Sequence, residues 1–361
     1  MRHDWTRDEI VTLYQKPLLN LLYEAASTHR MHHDPNKVQI STLVSIKTGG
    51  CPEDCGYCPQ AARYHIDIEK NELLTVNQVK ARALRAKASG ASRICMGAAW
   101  RNVKDGEEFD RVLEMVRTLN DLDIEVCCTL GMLTESQAKR LAEAGLYAYN
   151  HNLDSSEDYY KQVISTRAYA DRLKTIENVR KTNVTVCAGG IIGMGESIAD
   201  RAGMLVALST LNPHPESVPI NALVAVKGTP LESQKPVEIW EMVRMVAATR
   251  ITMPKTQVRL SAGRNHMSPE GQALCFLAGA NSIFAGDKLL TTPNPDVSAD
   301  MKLFESLGLV PQLPFEKHPK PEPVTQMENC PTSKENPRWS RPGHKIERNV
   351  KAEKKAKQLR H

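Results

Sequence analysis

Eight β-rich segments that alternate with helical segments constrain the fold of this 361-residue chain most strongly. The intervening stretches have helical periodicity, and several begin with Ser or Thr caps. The β-rich runs are residues 39–46, 93–98, 124–130, 147–153, 184–192, 217–226, 257–262 and 282–286. Repeated β/α units predict a parallel sheet with helices outside it, and a count of eight favours a closed (β/α)8 TIM-type barrel over a doubly wound sheet.

The barrel is predicted to span residues 36–312, between two regions of different character. Residues 1–35 are predicted to form an N-terminal helical extension. Residues 313–361 are rich in Pro and charge without periodicity, so we expect a disordered basic tail. Most of the positive charge lies in residues 334–361, which contain ten Lys and Arg but three Glu. The near-neutral remainder argues against a body that binds nucleic acid.

The sequence shows no sign of membrane insertion or export. No run of 18 or more apolar residues is present, and the first residues lack the apolar segment of a signal peptide. We therefore expect a cytoplasmic protein with no membrane partner. In a reducing compartment the nine cysteines are expected to be metal ligands, catalytic groups or core residues rather than disulfides.

Side-chain alternation turns a chemically unusual residue inward on four of the predicted strands. On each strand the apolar set should face the helices, which leaves the other set facing the barrel interior. The inward residues of interest are Cys95, Cys127, Cys187 and Arg259. Barrel interiors are normally packed with branched apolar side chains, so an interior bearing thiols predicts a bound group.

The loop after the first strand carries three cysteines in the sequence CPEDCGYC, at Cys51, Cys55 and Cys58. Active sites of this fold lie at that end of the strands. Three thiolates on a 4Fe–4S cluster leave one iron open, and an open metal position is where catalysis occurs. A zinc site completed by a distant residue, with His65 nearby, is the alternative.

The CxxxCxxC spacing after a first barrel strand resembles the radical S-adenosylmethionine superfamily. Further motifs are similar to those of the biotin synthase family, over roughly residues 10–310. They are SIKTGGCPEDCGYCPQ, CMGAAW, YNHNLD, VCAGGIIGMGE, VPINALVAVKGTP, VRLSAGR and AGANSIFAGDKLLTTPNP. The resemblance implies a sulfurtransferase that cleaves S-adenosylmethionine to a deoxyadenosyl radical and converts dethiobiotin to biotin.

The same resemblance implies two iron–sulfur clusters. Cys51, Cys55 and Cys58 would hold the 4Fe–4S cluster. A 2Fe–2S cluster that supplies the inserted sulfur would be held deep in the barrel by Cys95, Cys127, Cys187 and Arg259. Arginine is an unusual ligand because guanidinium only donates hydrogen bonds, so neutralisation of an anionic cluster is the alternative for it. No role is assigned to Cys128, Cys275 or Cys330.

The resemblance also implies contacts to the nucleoside and to the substrate. Asn152 and Asp154 would hold the nucleoside, and Asn150 and Asn221 the ureido ring of dethiobiotin; a strand-end cap is the alternative for any single Asn. Further contacts to S-adenosylmethionine are expected from Ala99, Gly189, Ile191, Gly193 and Glu196. Hydroxyls of Thr291 and Thr292 are expected to bind a carboxylate, with a helix cap as the alternative.

Two partners follow from the resemblance, namely a flavodoxin-type electron donor and a second copy of the chain in a homodimer. The sequence leaves two rival functions. A maturase or another sulfur-inserting enzyme of the superfamily is disfavoured by the inward set of three cysteines and one arginine. A zinc-dependent module that binds nucleic acid through the basic tail is the rival from another class.

Overall fold

The computed structural model describes residues 1–286, 288, 289, 291–321 and 323. Strands form at all eight β-rich runs, and a short break divides the fifth in two. The strands are β1 (Lys37–Lys47), β2 (Arg93–Ala98), β3 (Glu125–Thr129), β4 (Ala148–Asn150), β5 (Thr185–Cys187), β6 (Gly190–Ile192), β7 (Ser217–Ala222), β8 (Gln257–Leu260), β9 (Ser282–Ala285), β10 (Lys288–Leu289), β11 (Thr292–Pro293) and β12 (Val310–Pro311).

The sheet closes because β1 pairs in parallel with both β2 and β9. The order around the barrel is β1, β2, β3, β4, β5, β7, β8 and β9, and β6 continues the fifth position by pairing with β7. All pairings within the barrel are parallel, as repeated β/α units require. The prediction of a closed (β/α)8 barrel is confirmed.

Helices connect successive strands and surround the barrel. They are α1 (Arg7–Tyr14), α2 (Leu18–His32), α3 (Val76–Ala88), α4 (Glu107–Asn120), α5 (Glu135–Glu143), α6 (Glu157–Val163), α7 (Tyr169–Arg180), α8 (Ile198–Ser209), α9 (Ile239–Thr252), α10 (Pro269–Leu277) and α11 (Val297–Leu307). Capping boxes begin several of them, as at Thr75 with Gln78 and at Thr134 with Gln137. None of the helices that the structure describes combines the length and apolar character needed to cross a bilayer.

The main hydrophobic core lies between the strands and the helices. Ile94, Val126 and Val258 project outward from their strands into this layer and are almost completely buried. Burial of such side chains is worth roughly 1.5–3 kcal/mol each, so the outer layer contributes most to closure of the barrel. The N-terminal helices add to the same layer, since α1 packs on α8 and α2 packs on α9.

A buried ion-pair network fills the N-terminal end of the barrel. The Arg93 Nε atom lies 2.8 Å from Oε2 of Glu125, and its Nη2 atom lies 2.9 Å from Oε1 of Glu216. Arg93 is fully buried. Two carboxylates around one guanidinium offset the desolvation that a single buried charge would suffer.

Residues 312–321, termed the cover segment, lie against this end of the barrel. The Phe315 ring packs edge-on against Tyr147, with 5.8 Å between ring centroids, and the Phe315 N–H donates to Glu125 at 2.9 Å. The Gln257 Nε2 atom donates to Gln312 at 2.8 Å, and the Lys317 Nζ atom lies 2.9 Å from a ring nitrogen of His33. The cover segment thus closes the opening below the inward-facing cysteines.

The cover segment overlaps the tail that the sequence predicts from residue 313. Residues 313–321 contact the barrel there, because Phe315 provides an apolar anchor and the Lys320 side chain pairs with Asp123 at 2.5 Å. Apart from residue 323, the rest of the predicted tail lies outside the described residues, as does Cys330. The boundaries at residues 35 and 312 stay predictions.

Candidate active site

The cysteine loop, residues 51–58, follows β1 at the C-terminal mouth of the barrel. Backbone hydrogen bonds fold it back on itself: the Cys51 N–H donates to the Gln60 carbonyl at 3.0 Å, and the Cys58 N–H to the Cys55 carbonyl at 2.9 Å. Cys55 is buried, whereas Cys51 and Cys58 are partly exposed. The loop therefore presents thiols at the rim, where the sequence predicts the first cluster.

Burial raises the pKa of all three thiols, to about 12 for Cys55 and about 11 for Cys58. Each thiol is protonated near neutral pH without metal. Because the thiolate is the form that binds metal, metal binding must release these protons.

The surroundings of the rim thiols bear on the zinc alternative. Tetrahedral zinc with Zn–S bonds of about 2.3 Å needs ligands within about 4 Å of each other. Among the described residues, no three His, Cys, Asp or Glu side chains converge closely enough to hold one ion. His65 is exposed, in left-handed backbone with φ of 51°. Thiolates such as those of Cys51, Cys55 and Cys58 are the ligands that iron–sulfur clusters take.

The four deep residues predicted from alternation meet in the barrel interior. Cys95 and Cys127 pack together in a small cluster separate from the main core. The Arg259 Nη1 atom lies 3.7 Å from the Sγ atom of Cys187. By contrast Cys128, next to Cys127, belongs to the main core between strands and helices.

Hydrogen bonding and charge separate the two thiols at the centre of this group. The Cys127 thiol donates to Cys95, which lowers the pKa of Cys95 to about 7; burial opposes this, and the positive charges of Arg259 and Arg93 assist it. The same hydrogen bond and complete burial raise the pKa of Cys127 well above its usual value. The interior therefore makes Cys95 the more acidic thiol of the pair.

The hydrogen bonding of hydroxyl groups around the deep thiols indicates whether a cluster fits there. Within the described part of the chain, Ser41 Oγ and Ser217 Oγ are buried without a hydrogen-bond partner. Ser41 lies two residues from Leu43, which packs on the Cys95 cluster, and therefore shares its inward face. Buried polar atoms without partners are rare. Three thiols, a guanidinium and free hydroxyls form a donor set that fits a sulfide-bearing cluster.

A cavity of about 280 Å³ connects the rim to the deep group. Tyr57 and Cys58 line its upper part, and Cys95 and Arg259 line its lower part. The predicted site residues that line it are Cys58, Cys95, Asn150, Asn152, Asp154, Ile191, Asn221, Arg259, Thr291 and Thr292. The predicted residues outside its lining are Cys51, Cys55, Ala99, Cys127, Cys187, Gly189, Gly193 and Glu196.

Asp154 lies at the centre of a polar network beside this cavity. Its Oδ2 atom accepts from the Tyr57 hydroxyl at 2.6 Å and pairs with the Arg172 Nη2 atom at 2.5 Å. The Arg172 Nη1 atom also donates to the Asn152 carbonyl at 2.6 Å. The Asn152 Oδ1 atom accepts from the Gly189 N–H at 3.1 Å. The two residues predicted to hold the nucleoside are thus fixed by neighbouring side chains.

The two asparagines predicted to bind the ureido ring already make protein contacts. The Asn150 Oδ1 atom accepts from Thr129 at 3.0 Å, and its Nδ2 atom lies 3.3 Å from the Sγ atom of Cys187. The Asn221 side chain donates to the Gly190 carbonyl at 3.0 Å and accepts from the Ala262 N–H at 3.2 Å. Both line the cavity, and substrate contact would use their remaining hydrogen-bonding capacity.

The glycine-rich segment 189–196 packs closely against neighbouring segments next to the site. A Cβ atom at Gly189 would lie 2.0 Å from the Pro219 carbonyl oxygen, and one at Gly193, where φ is +93°, would lie 2.3 Å from Val237. The Glu196 carboxylate accepts from the Gly193 N–H at 2.9 Å and pairs with Arg201 at 2.7 Å. In the described residues these glycines allow protein segments to approach each other, and Glu196 holds the turn.

Tyr57 and Arg172 are site residues that the sequence analysis missed. Tyr57 lies inside the cysteine motif, so its position next to Cys58 could have predicted that it belongs to the site. Arg172 is on α7, and nothing in the local sequence distinguishes it from other helix arginines. Its contact with Asp154 depends on how α7 packs against the barrel, which alternation does not specify.

Close relatives of the chain share one name. The chain is 75% identical to the biotin synthase of Christiangramia forsetii, over 99% of each protein. It is also 75% identical to that of Flavobacterium johnsoniae, over 99% of this chain and 98% of the relative. Residues 45–207 match the Radical SAM superfamily, and residues 219–310 match the Biotin and Thiamin Synthesis associated domain.

Solved structures agree on the fold. Methylornithine synthase (PylB) superposes with a TM-score of 0.72 at 19% identity, over 85% of this chain and 94% of that protein. The hydrogenase maturase HydG from Carboxydothermus hydrogenoformans gives 0.72 at 15% identity, over 86% and 76%. At these identities the likeness concerns the barrel and not the chemistry.

Proposed function

Because this chain belongs to the biotin synthase family, we propose that its cavity joins two iron–sulfur sites that act together in sulfur insertion. The chain is a radical S-adenosylmethionine enzyme that forms biotin. The finer proposal assigns a 4Fe–4S cluster to Cys51, Cys55 and Cys58. It assigns a 2Fe–2S cluster to Cys95, Cys127, Cys187 and Arg259.

One observation carries this proposal: a single cavity is lined by Cys58 at the rim and by Cys95 and Arg259 at depth. Cys51, Cys55 and Cys58 would hold the cluster whose chemistry would be electron supply for cleavage of S-adenosylmethionine, and the deep residues would hold the one that would supply sulfur. Dethiobiotin would lie between them. The protein walls exclude water from this space and protect the radical from side reactions.

Side chains along the cavity would position the two reactants. Asp154 accepts the ribose hydroxyls through the acceptor capacity of its carboxylate that Tyr57 and Arg172 leave, since both of these contact Oδ2. Asn152 assists it. Asn150 and Asn221 face the ureido ring, and the hydroxyls of Thr291 and Thr292 face the substrate carboxylate. Ala99, Ile191 and the 189–196 segment shape the nucleoside site.

The contacts of Arg259 support a place for it next to the deep cluster. Its Nε atom donates to Ser282 at 2.9 Å and its Nη2 atom donates to Gln39 at 2.9 Å. These two bonds leave Nη1 directed at the Cys187 thiol. We propose ligation through Nη1, in keeping with the family resemblance. A flavodoxin-type donor, a homodimer and a cytoplasmic location complete the proposal.

Replacement of Cys95 by Ala tests the deep site. The Cys95→Ala variant is expected to keep about four irons per chain instead of about six and to cleave S-adenosylmethionine, but to form no biotin. Cys128→Ala is the matched control, because Cys128 lies on the opposite face of the same barrel wall. It should keep both the iron content and biotin formation.

Iron analysis, deoxyadenosine assay and biotin assay are run on anaerobically reconstituted protein. Full biotin yield from Cys95→Ala would refute the sulfur-donor assignment. A colourless wild-type protein with one zinc would refute the iron–sulfur proposal as a whole.

A further inference from the structure

We propose that Asp54 is a positioning residue that fixes the cysteine loop to the connection between α6 and α7, and so aligns the rim cluster with Asp154. This inference rests on the proposed function of the cysteine loop. The connection comprises residues 164–168, between Val163 and Tyr169. Asp54, Ser165 and Thr166 together are termed the loop anchor.

The Asp54 carboxylate receives donors from two consecutive residues of the connection. Its Oδ1 atom accepts from the Ser165 N–H at 3.0 Å and from the Thr166 N–H at 3.1 Å. Its Oδ2 atom accepts from the Ser165 hydroxyl. In return the Asp54 N–H donates to the Thr166 hydroxyl oxygen at 3.1 Å. The two segments are more than 100 residues apart in sequence, so these bonds determine where the loop lies.

Glu53 strengthens the attachment from the neighbouring position. It is only 2% exposed, and its Oε2 atom accepts from the Thr166 hydroxyl. Its Oε1 atom lies 3.4 Å from nitrogens of both Arg101 and Arg167. A buried carboxylate between two guanidinium groups holds the loop on the connection from a second direction.

Further hydrogen bonds hold the centre of the loop, to the end of α6 and to two other segments. The Gly56 N–H donates to the Val163 carbonyl at 2.9 Å, and the Leu231 N–H donates to the Gly56 carbonyl at 3.2 Å. The Tyr64 hydroxyl donates to the Asp54 carbonyl. The loop is thus attached at Asp54 and Gly56, on both sides of Cys55.

The connection also determines where the nucleoside residues lie. It leads directly into α7, whose Arg172 contacts Asp154 at 2.5 Å. The Tyr57 hydroxyl contacts Asp154 from the cysteine loop. A shift of the loop relative to the connection would therefore separate Tyr57 from Arg172 and displace the carboxylate between them. Asp54 sets this relative position without touching any reacting atom.

The test uses the Cys95→Ala background, so that only the rim site holds iron. Asp54→Asn keeps the size of the side chain but replaces one acceptor oxygen by an NH2 group. That group then faces the hydrogen-bond donors of Ser165 or Thr166, which lose their acceptor. Thr166→Val removes a hydroxyl while keeping the shape, and Thr166→Ser restores the hydroxyl. Asp171→Asn is the control, since Asp171 caps α7 through the Ala168 N–H and does not contact the cysteine loop.

Two readouts are measured apart from turnover: the dissociation constant of S-adenosylmethionine and the rate of iron loss to a chelator. We expect the dissociation constant and the rate of iron loss each to rise about tenfold in Asp54→Asn and Thr166→Val. Both should stay within about twofold of the parent values in Thr166→Ser and Asp171→Asn. Thermal unfolding of the metal-free variants is measured in parallel; affinity and iron retention that Thr166→Ser restores relative to Thr166→Val, at equal unfolding temperature, report positioning rather than general stability.

Unchanged affinity and iron loss in both Asp54→Asn and Thr166→Val would overturn the inference. If Asp54→Asn does not fold, the comparison of Thr166→Val with Thr166→Ser decides it alone. Absence of iron from the Cys95→Ala parent would instead contradict the proposed function, so the two failures are distinguishable.

Discussion

Cys127 and Cys128 are adjacent on β3 but lie in different surroundings. Cys127 is hydrogen-bonded to Cys95 in the interior, whereas burial, assisted by the charge of Cys95, raises the pKa of Cys128 in the outer core. This difference could be predicted from the sequence, because a strand has a period of two and its faces differ in polarity. The contact of Arg172 with Asp154 could not, because it depends on helix packing.

His29 leads to a prediction on pH. Both of its ring nitrogens are buried without partners among the described residues. Burial, with the charges of Arg250 and Lys317, lowers its pKa to about 3. Between pH 6.5 and 3 the unfolded chain binds a proton that folded His29 does not, so stability falls as the pH drops, by at most about 1.4 kcal/mol per pH unit.

His29→Leu should flatten this dependence. The measurement is the urea midpoint of the metal-free protein between pH 7.5 and 4.5. His266→Leu is the control, because His266 is exposed. An equally steep loss of stability in His29→Leu and wild type would contradict the prediction.

At the scale of elements, the sequence predicts those with periodicity and misses those without it. All eight barrel strands lie at their predicted runs. The division of the fifth strand into β5 and β6 was not predicted, because it follows from the close approach of Gly189 to Pro219. The cover segment was also missed, since one aromatic anchor among prolines and charged residues has no period.

Phe315 anchors the cover segment and provides a prediction at this scale. Phe315→Ala removes the ring that packs against Tyr147 and should lower the free energy of unfolding by about 1–2 kcal/mol, less than for a fully buried ring. Leu313→Ala is the matched control, because Leu313 is 68% exposed and should change stability by less than about 0.5 kcal/mol. Urea unfolding measures both; equal effects would show that Phe315 is no anchor.

For the whole molecule, closure of the barrel relies on the outer core and not on the proposed clusters. Of the seven proposed cluster ligands, Cys55 belongs to the main core and Cys58 packs against its edge, whereas the other five lie outside it. The sequence predicts this architecture because the outward faces of the strands are consistently apolar. The linkage of the rim loop to α6 and α7 could not be predicted, since it joins distant segments through single hydrogen bonds.

Removal of iron should therefore leave the barrel folded. Chelation under reducing conditions is expected to abolish the brown colour and biotin formation, while far-ultraviolet circular dichroism changes by less than about 10%, since the hydrophobic layer stays in place. Iron added back with sulfide should restore the colour. Loss of helical signal on chelation would show that the clusters hold the fold together.

The cover segment also limits the order of events in the enzyme. With the lower end of the barrel closed by residues 312–321, traffic to the deep thiols uses the upper mouth. Fresh iron and sulfide would enter by the route that nucleoside and substrate occupy during a reaction cycle. The deep cluster can then be rebuilt only when the cavity is empty, so that catalysis and cluster rebuilding alternate in time.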